Sequence, residues 1–507
     1  MPNSSTSLAE QFHQHTKYDP HTIHTKSQSL DWDRQPTPYK EYPIGKVVDL
    51  KPFIEKGAPI ALEDAEAQWW QRLSQMLYCS YGVTGMISTV SKPHYLRSAP
   101  SAGGLYPAEI YLVSRGDRYF APGLYNYQVK DHSLVQFWES PSWEKLEAAC
   151  FGHPALAQAR LAIIVTGVFW RSAWRYQDRA YRRILLDSGH LLGNVELACA
   201  ISGFRPCLVG GFADAVVNEL LYINEAEEGA IAVIPLLDWL EQTEIVDTGC
   251  VLPMPSQKEA ATVTDGEFLG YFHQATQMPA TPQTAWRAST TRLNKTSKYN
   301  FPFCFKVDAT TAPVNWGDRL SGLPETMLKR RSTREYNGAS LTIEELKALL
   351  DFTYQPHHYA NQGLDDQPDF FTLNLVETFI AVSAVTGLED GCYYYAPAEQ
   401  ELRQIRFKNF RRELHFLCLG QNLGRDAAVV LFQTADLKTA VEQYGDRVYR
   451  YLHMDAGHLG QRLNLAAIHL GLGVSGIGGF FDDQVNEVLG IPPEEAVLYI
   501  TTLGRAR

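Results

Sequence analysis

The sequence lacks several features that would assign it to common functional classes. Its eight cysteines include no CxxC pair, which argues against a zinc ribbon or a dithiol redox motif and leaves free thiols as the expectation. No long basic run is present, and 57 Asp and Glu against 45 Lys and Arg give a net charge of −12. Because nucleic-acid binding requires clustered cations, we expect no nucleic-acid partner. A G-x-S-x-G element and metal-ligand spacings are also absent.

Long hydrophobic runs are missing as well. No apolar stretch approaches the ~18–20 residues that cross a bilayer. The first residues, MPNSSTSLAEQFHQ, contain no apolar segment of the signal-peptide kind and include an early acidic residue. We therefore expect a soluble, cytoplasmic protein with no membrane partner.

The sequence does contain a long internal repeat. Residues 181–223 align without a gap with residues 449–491, at an offset of 268 residues (449 − 181). Solenoid repeats are only about 20–50 residues long, so this period predicts a tandem duplication of a whole domain. Two similar domains in one chain can form the interface of a homodimer covalently, together with any site at that interface. The matched pairs are Tyr176/Tyr444, Arg179/Arg447, Tyr181/Tyr449, Arg182/Arg450, Asp187/Asp455, Gly189/Gly457, His190/His458, Leu197/Leu465, Gly203/Gly471, Gly210/Gly478, Gly211/Gly479, Phe212/Phe480, Asp214/Asp482 and Asn218/Asn486.

The length of 507 residues is too great for one core, and the repeat favours two domains. We predict a polar N-terminal arm over residues 1–45 and a first domain over 46–250. A linker of turn-forming and small polar residues follows over 251–322, and the second domain covers 323–507. The arm is expected to wrap around the body, and the linker is expected to lie over the surface.

Each unit is predicted to be an α+β domain. Residues 109–113 and 377–382 are β-branched and aromatic runs that suit buried strands. Tyrosine-rich segments follow each run at matching places, 122–134 and 390–402, and indicate hairpins. With long apolar helices between the strands, the expected architecture is two tandem α+β domains that form an intrachain pseudo-dimer.

The long helices are expected to end at Gly203 and Gly471, where glycine is favoured just past a helix C-terminus. Gly471, Gly473 and Gly476 also satisfy the GxGxxG pattern. That pattern indicates a Rossmann dinucleotide site only when it follows a strand and opens a helix. Here it follows a helix, so such a site is not expected.

Two loop motifs each occur in one unit only. Residues 329–336 (KRRSTREY) place four cations and two hydroxyls before a helix, a combination that suits a phosphate, although a solvated basic segment is the alternative. Residues 97–107 (RSAPSAGGLYP) form a loop of small residues whose backbone could approach a flat ligand, although a tight loop before a strand is the alternative. The other copies have 34–40 and 367–375 instead, and this complementary loss favours a shared ligand site.

These motifs resemble those of the FMN-dependent nitroreductase superfamily, and PSAGGLYP with the preceding YGVTG resembles its SagB-type azoline dehydrogenase branch. The resemblance covers residues 50–240 and 323–507. It implies an FMN phosphate site at Arg330, Arg331, Ser332 and Arg334, with a further basic contact at Arg505. It also implies a flavin-lining strand at Gly476, Ile477, Gly478 and Gly479, and a covering loop from the other domain at Pro100, Ser101, Ala102 and Gly103. One FMN per chain and a vestigial second site are therefore expected.

The chemistry that the resemblance implies is hydride transfer through flavin N5, with NAD(P)H as a candidate donor and a small molecule or modified peptide as substrate. The SagB branch carries a Lys-Tyr pair before the core helix, in which the lysine is thought to act as a base. Here the pair is Arg175-Tyr176, and arginine is a poor base because its pKa lies above about 12. Tyr176 is the candidate proton donor or substrate anchor, and a buried tyrosine with a satisfied hydroxyl is the alternative.

Other functions stay open. The protein could be a flavin-binding scaffold without catalysis, serving a partner in a biosynthetic pathway. It could also be a thiazoline or oxazoline peptide oxidase that uses Tyr176 differently, although no precursor-peptide-binding domain is recognisable before the first unit. The paired His190 and His458 are expected at helix starts in structural roles. The intrachain pseudo-dimer is expected to function as a monomer.

Overall fold

The computed structural model describes residues 6–26, 30–54, 64–88, 93–241, 249–257, 262–281, 286 and 297–507. The helices in these ranges are α1 (Leu8–Thr16), α2 (Ile23–Lys26), α3 (Ala65–Tyr81), α4 (Trp143–Ala149), α5 (Pro154–Gln158), α6 (Phe169–Tyr176), α7 (Ala180–Ser202), α8 (Asp214–Leu220), α9 (Phe268–Ala275), α10 (Gly322–Lys329), α11 (Ile343–Tyr354), α12 (Arg411–Leu417), α13 (Asn422–Asp426), α14 (Leu437–Tyr444), α15 (Val448–His469) and α16 (Asp482–Leu489). The strands are β1 (Lys46–Asp49), β2 (Val83–Ile87), β3 (His94–Arg97), β4 (Ala108–Ser114), β5 (Gly123–Gln128), β6 (Ser133–Trp138), β7 (Leu161–Val168), β8 (Phe204–Pro206), β9 (Glu228–Asp238), β10 (Phe305–Asp308), β11 (Leu341–Thr342), β12 (Glu377–Val382), β13 (Val385–Thr386), β14 (Gly391–Ala396), β15 (Glu401–Arg406), β16 (Val429–Asp436), β17 (Gly473–Ile477) and β18 (Glu495–Gly504).

Each half of the chain forms a seven-stranded antiparallel sheet with the same topology. The order is β1-β6-β5-β4-β7-β9-β8 in the first and β10-β15-β14-β12-β16-β18-β17 in the second. The register repeats too, because Tyr111 opposes Ile164 in the first sheet while Phe379 opposes Phe432 in the second. The predicted strands and tyrosine-rich hairpins are confirmed as β4, β12, β5–β6 and β14–β15. Two tandem α+β domains are therefore present.

The central helices α7 and α15 cross where the repeat has paired glycines. A Cβ on Gly189 would lie 2.1 Å from Met454 O, and one on Gly457 would lie 2.3 Å from Leu186 O. No side chain fits at such distances, so the crossing requires glycine at both positions. Helix α7 ends as predicted, with Gly203 in the left-handed region at φ 71°.

Buried ion pairs join the two domains across this crossing. Arg179 Nη1 lies 2.8 Å from Asp482 Oδ2, and Arg182 Nη1 lies 2.6 Å from Asp482 Oδ1. The opposite side carries the same arrangement, with distances of 2.6 and 2.8 Å, in Asp214 with Arg447 and Arg450. The interface thus has the pseudo-twofold symmetry expected of an intrachain dimer.

The arm and the predicted linker each contribute a short helix, α1 and α9, and the two helices have similar sequences. Phe12 of α1 stacks on Phe272 of α9 with ring centroids 4.4 Å apart. The surrounding sequences, FHQHT and FHQAT, are a further repeated pair at an offset of 260 residues (272 − 12), which the 268-residue register does not reveal. Residues 268–275 therefore form a helix with a buried apolar face, where the sequence analysis expected a surface linker.

Helix α1 contacts the second domain, although the first domain follows it in the chain. Helix α9 contacts the first domain, although the second domain follows it. Ala9 N donates to Asp446 Oδ1 of the second domain at 2.8 Å, and Leu269 N donates to Asp178 Oδ1 of the first at 2.9 Å. The exchange is reciprocal, so both segments tie the domains together.

The helical stretch around α7 is long and apolar by composition. Among the described residues, the stretch 169–202 is long and apolar enough to cross a membrane, which differs from the expectation that no such run exists. Its most apolar window is 89% buried inside the protein, mainly as α7, so packing in the core accounts for its composition. All eight cysteines are free thiols, as expected.

Candidate functional site

The cation segment, residues 330–334, lies against the first domain. Arg330 is 3% exposed and donates from Nε to Ser98 O at 2.5 Å. Arg331 donates from Nη2 to Thr84 O at 2.5 Å and from Nη1 to Thr84 Oγ1 at 3.0 Å. These two arginines therefore connect the second domain to the stretch that leads into the Pro- and Gly-rich loop.

One donor of Arg330 has no partner. Its Nη1 is buried and makes no hydrogen bond within the part of the chain that the structure describes. Burial lowers the pKa of Arg330 to about 10, so the side chain is still cationic at neutral pH. A buried cationic donor without a partner is costly, and an anion such as a phosphate would satisfy it.

The rest of the cation segment runs along β17, and the C-terminal residues 505–507 pair with residues 335–337. Thr333 N donates to Val474 O at 2.8 Å, and Val474 N donates back to Thr333 Oγ1 at 2.9 Å. Ser332 is half-buried and Arg334 is exposed. The predicted basic contact near the C-terminus instead forms an ion pair within the second domain, 2.7 Å long, between Arg505 and Glu345.

The covering loop, residues 100–104, is held by a buried carboxylate of α7. Ser101 Oγ donates to Asp187 Oδ2 at 2.6 Å, and Ala102 N donates to Asp187 Oδ1 at 3.1 Å. Tyr106 N donates in turn to Ser101 Oγ at 2.8 Å. The loop is partly exposed throughout, including Pro100. The hydrogen bonds to Asp187 therefore fix the loop on the α7 side, and its other side is exposed to solvent.

Both candidate catalytic residues lie beside this loop. A Cβ on Gly103, which has φ +67°, would lie 2.8 Å from Tyr176 Oη and 3.4 Å from Arg175 Nη1. Tyr176 is half-buried, with its hydroxyl next to the exposed Gly103. It is therefore less buried than the alternative expected, and its hydroxyl stays a candidate contact for a ligand.

The glycine run of the second domain, residues 476–479, faces the same region. A Cβ on Gly476 would lie 1.7 Å from Tyr499 Oη, and one on Gly478 would lie 3.0 Å from Arg183 Nη1. A side chain at Gly476 would therefore clash with Tyr499, whereas one at Gly478 would need only a small shift of the Arg183 side chain. The buried members of the run are Ile477 and Gly479.

Arg183 of α7 links the glycine run to Tyr176, and the sequence analysis missed it. Its guanidinium carbon lies 3.6 Å from the centroid of the Tyr176 ring. The signal was present in the repeat, because the position paired with Arg183 is Tyr451. Cation segment, covering loop, glycine run and Arg183 thus surround one region between the domains, which we call the composite site.

The pseudo-symmetric position on the other side is filled by side chains. Leu208 N donates to Asp369 Oδ2 at 2.9 Å. The Phe371 ring comes within 3.0 Å of where a Cβ on Gly210 would stand, and Tyr451 Oη donates to Gly210 O at 2.8 Å. The segments that correspond to the covering loop and the glycine run therefore pack directly against each other here.

The paired histidines lie inside α7 and α15, which corrects the expectation that they stand at helix starts. His190 Nε2 lies 2.8 Å from Tyr499 Oη, and His458 Nε2 lies 2.7 Å from Glu196 Oε2. Burial lowers the pKa of His190 to about 3, so this ring stays neutral. Within the described residues, no group of three or more His, Cys, Asp or Glu side chains could hold a metal ion.

Comparison with known proteins agrees with this architecture. A model of the nitroreductase family matches residues 63–236 and 327–505. A solved structure of a putative nitroreductase from Anabaena variabilis ATCC 29413 superposes with a TM-score of 0.92 at 62% identity, covering 99% of this chain and 100% of that one. The putative nitroreductase MJ1384 of Methanocaldococcus jannaschii is 33% identical over 189 residues, which are 36% of this chain and 90% of that protein.

A second curated relative is named for the processing of trifolitoxin. The trifolitoxin-processing protein TfxB of Rhizobium leguminosarum bv. trifolii is 28% identical over 205 residues, which are 38% of this chain and 55% of that protein. The two family matches fall on the two sheets and together cover more than half of the chain. The chain therefore belongs to the nitroreductase family.

Proposed function

We propose that the protein is an FMN-dependent oxidoreductase with one composite interdomain site. The observation that carries the proposal is the meeting of complementary motifs from different domains: the cation segment of the second contacts the stretch that leads into the covering loop of the first. The geometry of the whole site favours a bound anion at one end, next to Arg330 Nη1, and a flat ligand beside the glycine run. FMN has both parts.

The residues present fit this cofactor in a specific way. Arg334, Ser332 and the free Nη1 of Arg330 would hold the phosphate. Arg331 anchors the segment to Thr84, and Arg505 pairs with Glu345 of the second domain. The backbone of residues 476–479 and the covering loop would hold the ring system. Bound FMN supplies hydride transfer through N5. The protein positions the ring, excludes water and offers the Tyr176 hydroxyl as a proton donor or anchor.

The substrate class follows from the branch resemblance. We propose a small molecule or a modified peptide as substrate and NAD(P)H as electron donor, with the intrachain pseudo-dimer acting as a monomer. The similarity to TfxB favours the SagB-type branch and hence a peptide. Against azoline oxidation by a lysine base stands Arg175, which lies beside the covering loop in place of the lysine, because arginine is a poor base. A flavin-binding scaffold remains the second candidate.

Flavin binding and reduction test the proposal. The purified protein should carry a visible flavin band, which NADH or NADPH bleaches anaerobically and a nitroaromatic or an azoline peptide restores. Arg334→Ala should weaken FMN binding about 10- to 100-fold, since a hydrogen bond to a charged group contributes about 1.5–3 kcal/mol. Arg425→Ala is the matched control, because Arg425 is an exposed cation paired with Asp426 away from the site.

Colourless protein that takes up no FMN would refute the proposal. Bound flavin that no reductant bleaches would favour the scaffold instead. Full flavin occupancy in Arg334→Ala, at FMN concentrations near the dissociation constant of the unmodified protein, would remove the phosphate assignment.

A further inference from the structure

Arg183 is a buried cation that lacks a full set of partners. It is 8% exposed, and its Nε makes no hydrogen bond within the described part of the chain. Neither nearby carboxylate has a hydrogen bond to Arg183: Asp187, on which Arg183 acts only electrostatically, accepts from Ser101 and Ala102, and Asp482 pairs with two other arginines. Arg183 lies beside Tyr18 of the arm, where burial opposes the lowering of the phenol pKa that the charges of Arg183 and Arg179 produce. Burying such a cation without a hydrogen-bonded anion is unfavourable.

A second cation lies at Tyr176, the tyrosine on whose ring Arg183 stacks. The guanidinium carbon of Arg175 is 5.6 Å from the Tyr176 ring centroid, and that of Arg183 is 3.6 Å away. Both arginines reach the walls of the composite site, since Arg175 lies next to Gly103 and Arg183 next to Gly478. The Tyr176 ring therefore holds two positive charges beside the space between the covering loop and the glycine run.

Both cations are specific to this side of the molecule. At the offset of 268 residues, Arg175 is matched by Gln443 and Arg183 by Tyr451. The Tyr451 hydroxyl is satisfied by Gly210 O at 2.8 Å on the side whose site is filled. The second copy forms the same fold with Gln443 and Tyr451 at these positions, so the fold does not require the two charges.

We propose that Arg183 and Arg175 bind a carboxylate of the substrate at the Tyr176 ring, so that the protein acts on a carboxylate-bearing organic compound. The inference rests on the proposed function and specifies its substrate class. A guanidinium offers a planar pair of N–H donors that matches a carboxylate in two-point contact. Tyr176 Oη adds a donor in the same place. The cation segment is a separate site that serves the cofactor phosphate.

Benzoate is the probe that tests this inference, with benzamide as its neutral analogue of the same shape. Flavin-loaded protein is titrated with each, and binding is followed by the flavin absorbance and independently by calorimetry. Benzoate should bind at least about 10-fold more tightly than benzamide. Arg183→Gln and Arg175→Gln should each weaken benzoate binding about 10-fold or more and leave benzamide binding unchanged, since each removes a charge-assisted hydrogen bond.

Arg118→Gln is the matched control. Arg118 is exposed on the loop between β4 and β5 and stacks on Tyr119 at 4.4 Å, much as Arg183 stacks on Tyr176. Its substitution should leave both affinities unchanged. Equal affinity of the unmodified protein for benzoate and benzamide, or an unchanged benzoate affinity in Arg175→Gln, would overturn the inference.

Flavin content is measured on every variant to separate the two proposals. Colourless unmodified protein counts against the proposed function, and calorimetry with benzoate then still decides the carboxylate site. Loss of flavin in Arg183→Gln together with unchanged benzoate binding would assign Arg183 to the cofactor and overturn the inference.

Discussion

At the scale of single residues, Asp187 and its counterpart Asp455 are buried carboxyls that hold loops. Asp187 accepts from Ser101 and Ala102 of the covering loop, and Asp455 accepts from two backbone N–H groups of the corresponding loop. Burial raises the pKa of each to about 7, although their hydrogen bonds oppose the shift. Since the unfolded value is about 3.9, the folded protein keeps a proton on each that the unfolded chain releases.

The stabilisation that this protonation gives is fully present below about pH 4 and is lost as the pH rises through about 7. Asp187→Asn mimics the neutral carboxyl, so we expect it to flatten the fall of Tm between about pH 4 and 8. Asp455→Asn should flatten it by a similar amount, and the double variant by more. Thermal unfolding at a series of pH values is the measurement. A variant whose Tm falls as steeply as that of the unmodified protein would show that these carboxyls are already ionised in the folded state.

At the scale of elements, the crossing of α7 and α15 depends on two carboxylates that each neutralise two arginines. Asp482→Asn would leave Arg179 and Arg182 buried without a counter-charge, and breaking a buried pair in this way costs about 3–5 kcal/mol. Asp214→Asn should cost about the same, because its surroundings repeat. The neighbouring Asp483→Asn is the control, since Asp483 is 65% exposed in its pair with Lys17 and should contribute less than about 1 kcal/mol.

Urea denaturation of the three variants measures these differences. A midpoint for Asp482→Asn that equals that of Asp483→Asn would mean that the interdomain ion pairs add no stability. Unequal losses for Asp482→Asn and Asp214→Asn would show that the two copies have diverged in the energy of the interface as well as in the site.

The elements predicted from the sequence are strands that pair with other strands of the same domain. Strands β4 and β12 were predictable because buried β-branched runs leave a local signal. Helix α9 was not, since its match to α1 uses another offset and its apolar face is recognised only against Phe12. The contacts of Arg331 with Thr84, and of Arg505 with Glu345, join residues far apart in sequence that no local pattern connects. Arg183 was missed because the repeat was recognised from identical pairs of residues, whereas Arg183 is paired with a different residue, Tyr451.

At the scale of the whole molecule, the two domains share one scaffold and differ where the composite site lies. Both domains retain the sheet order, the helix crossing and the Asp–Arg interface, whereas Phe371, Asp369 and Tyr451 fill the second position. A flat cofactor cannot occupy a space already taken by side chains, so we expect one FMN per chain.

Flavin released from denatured protein, divided by the protein concentration from amino-acid analysis, should approach one under saturating FMN. Native mass spectrometry should show one chain with one flavin. Two flavins per chain would mean that Phe371 and its neighbours move aside, and that the second site is merely closed in the free protein.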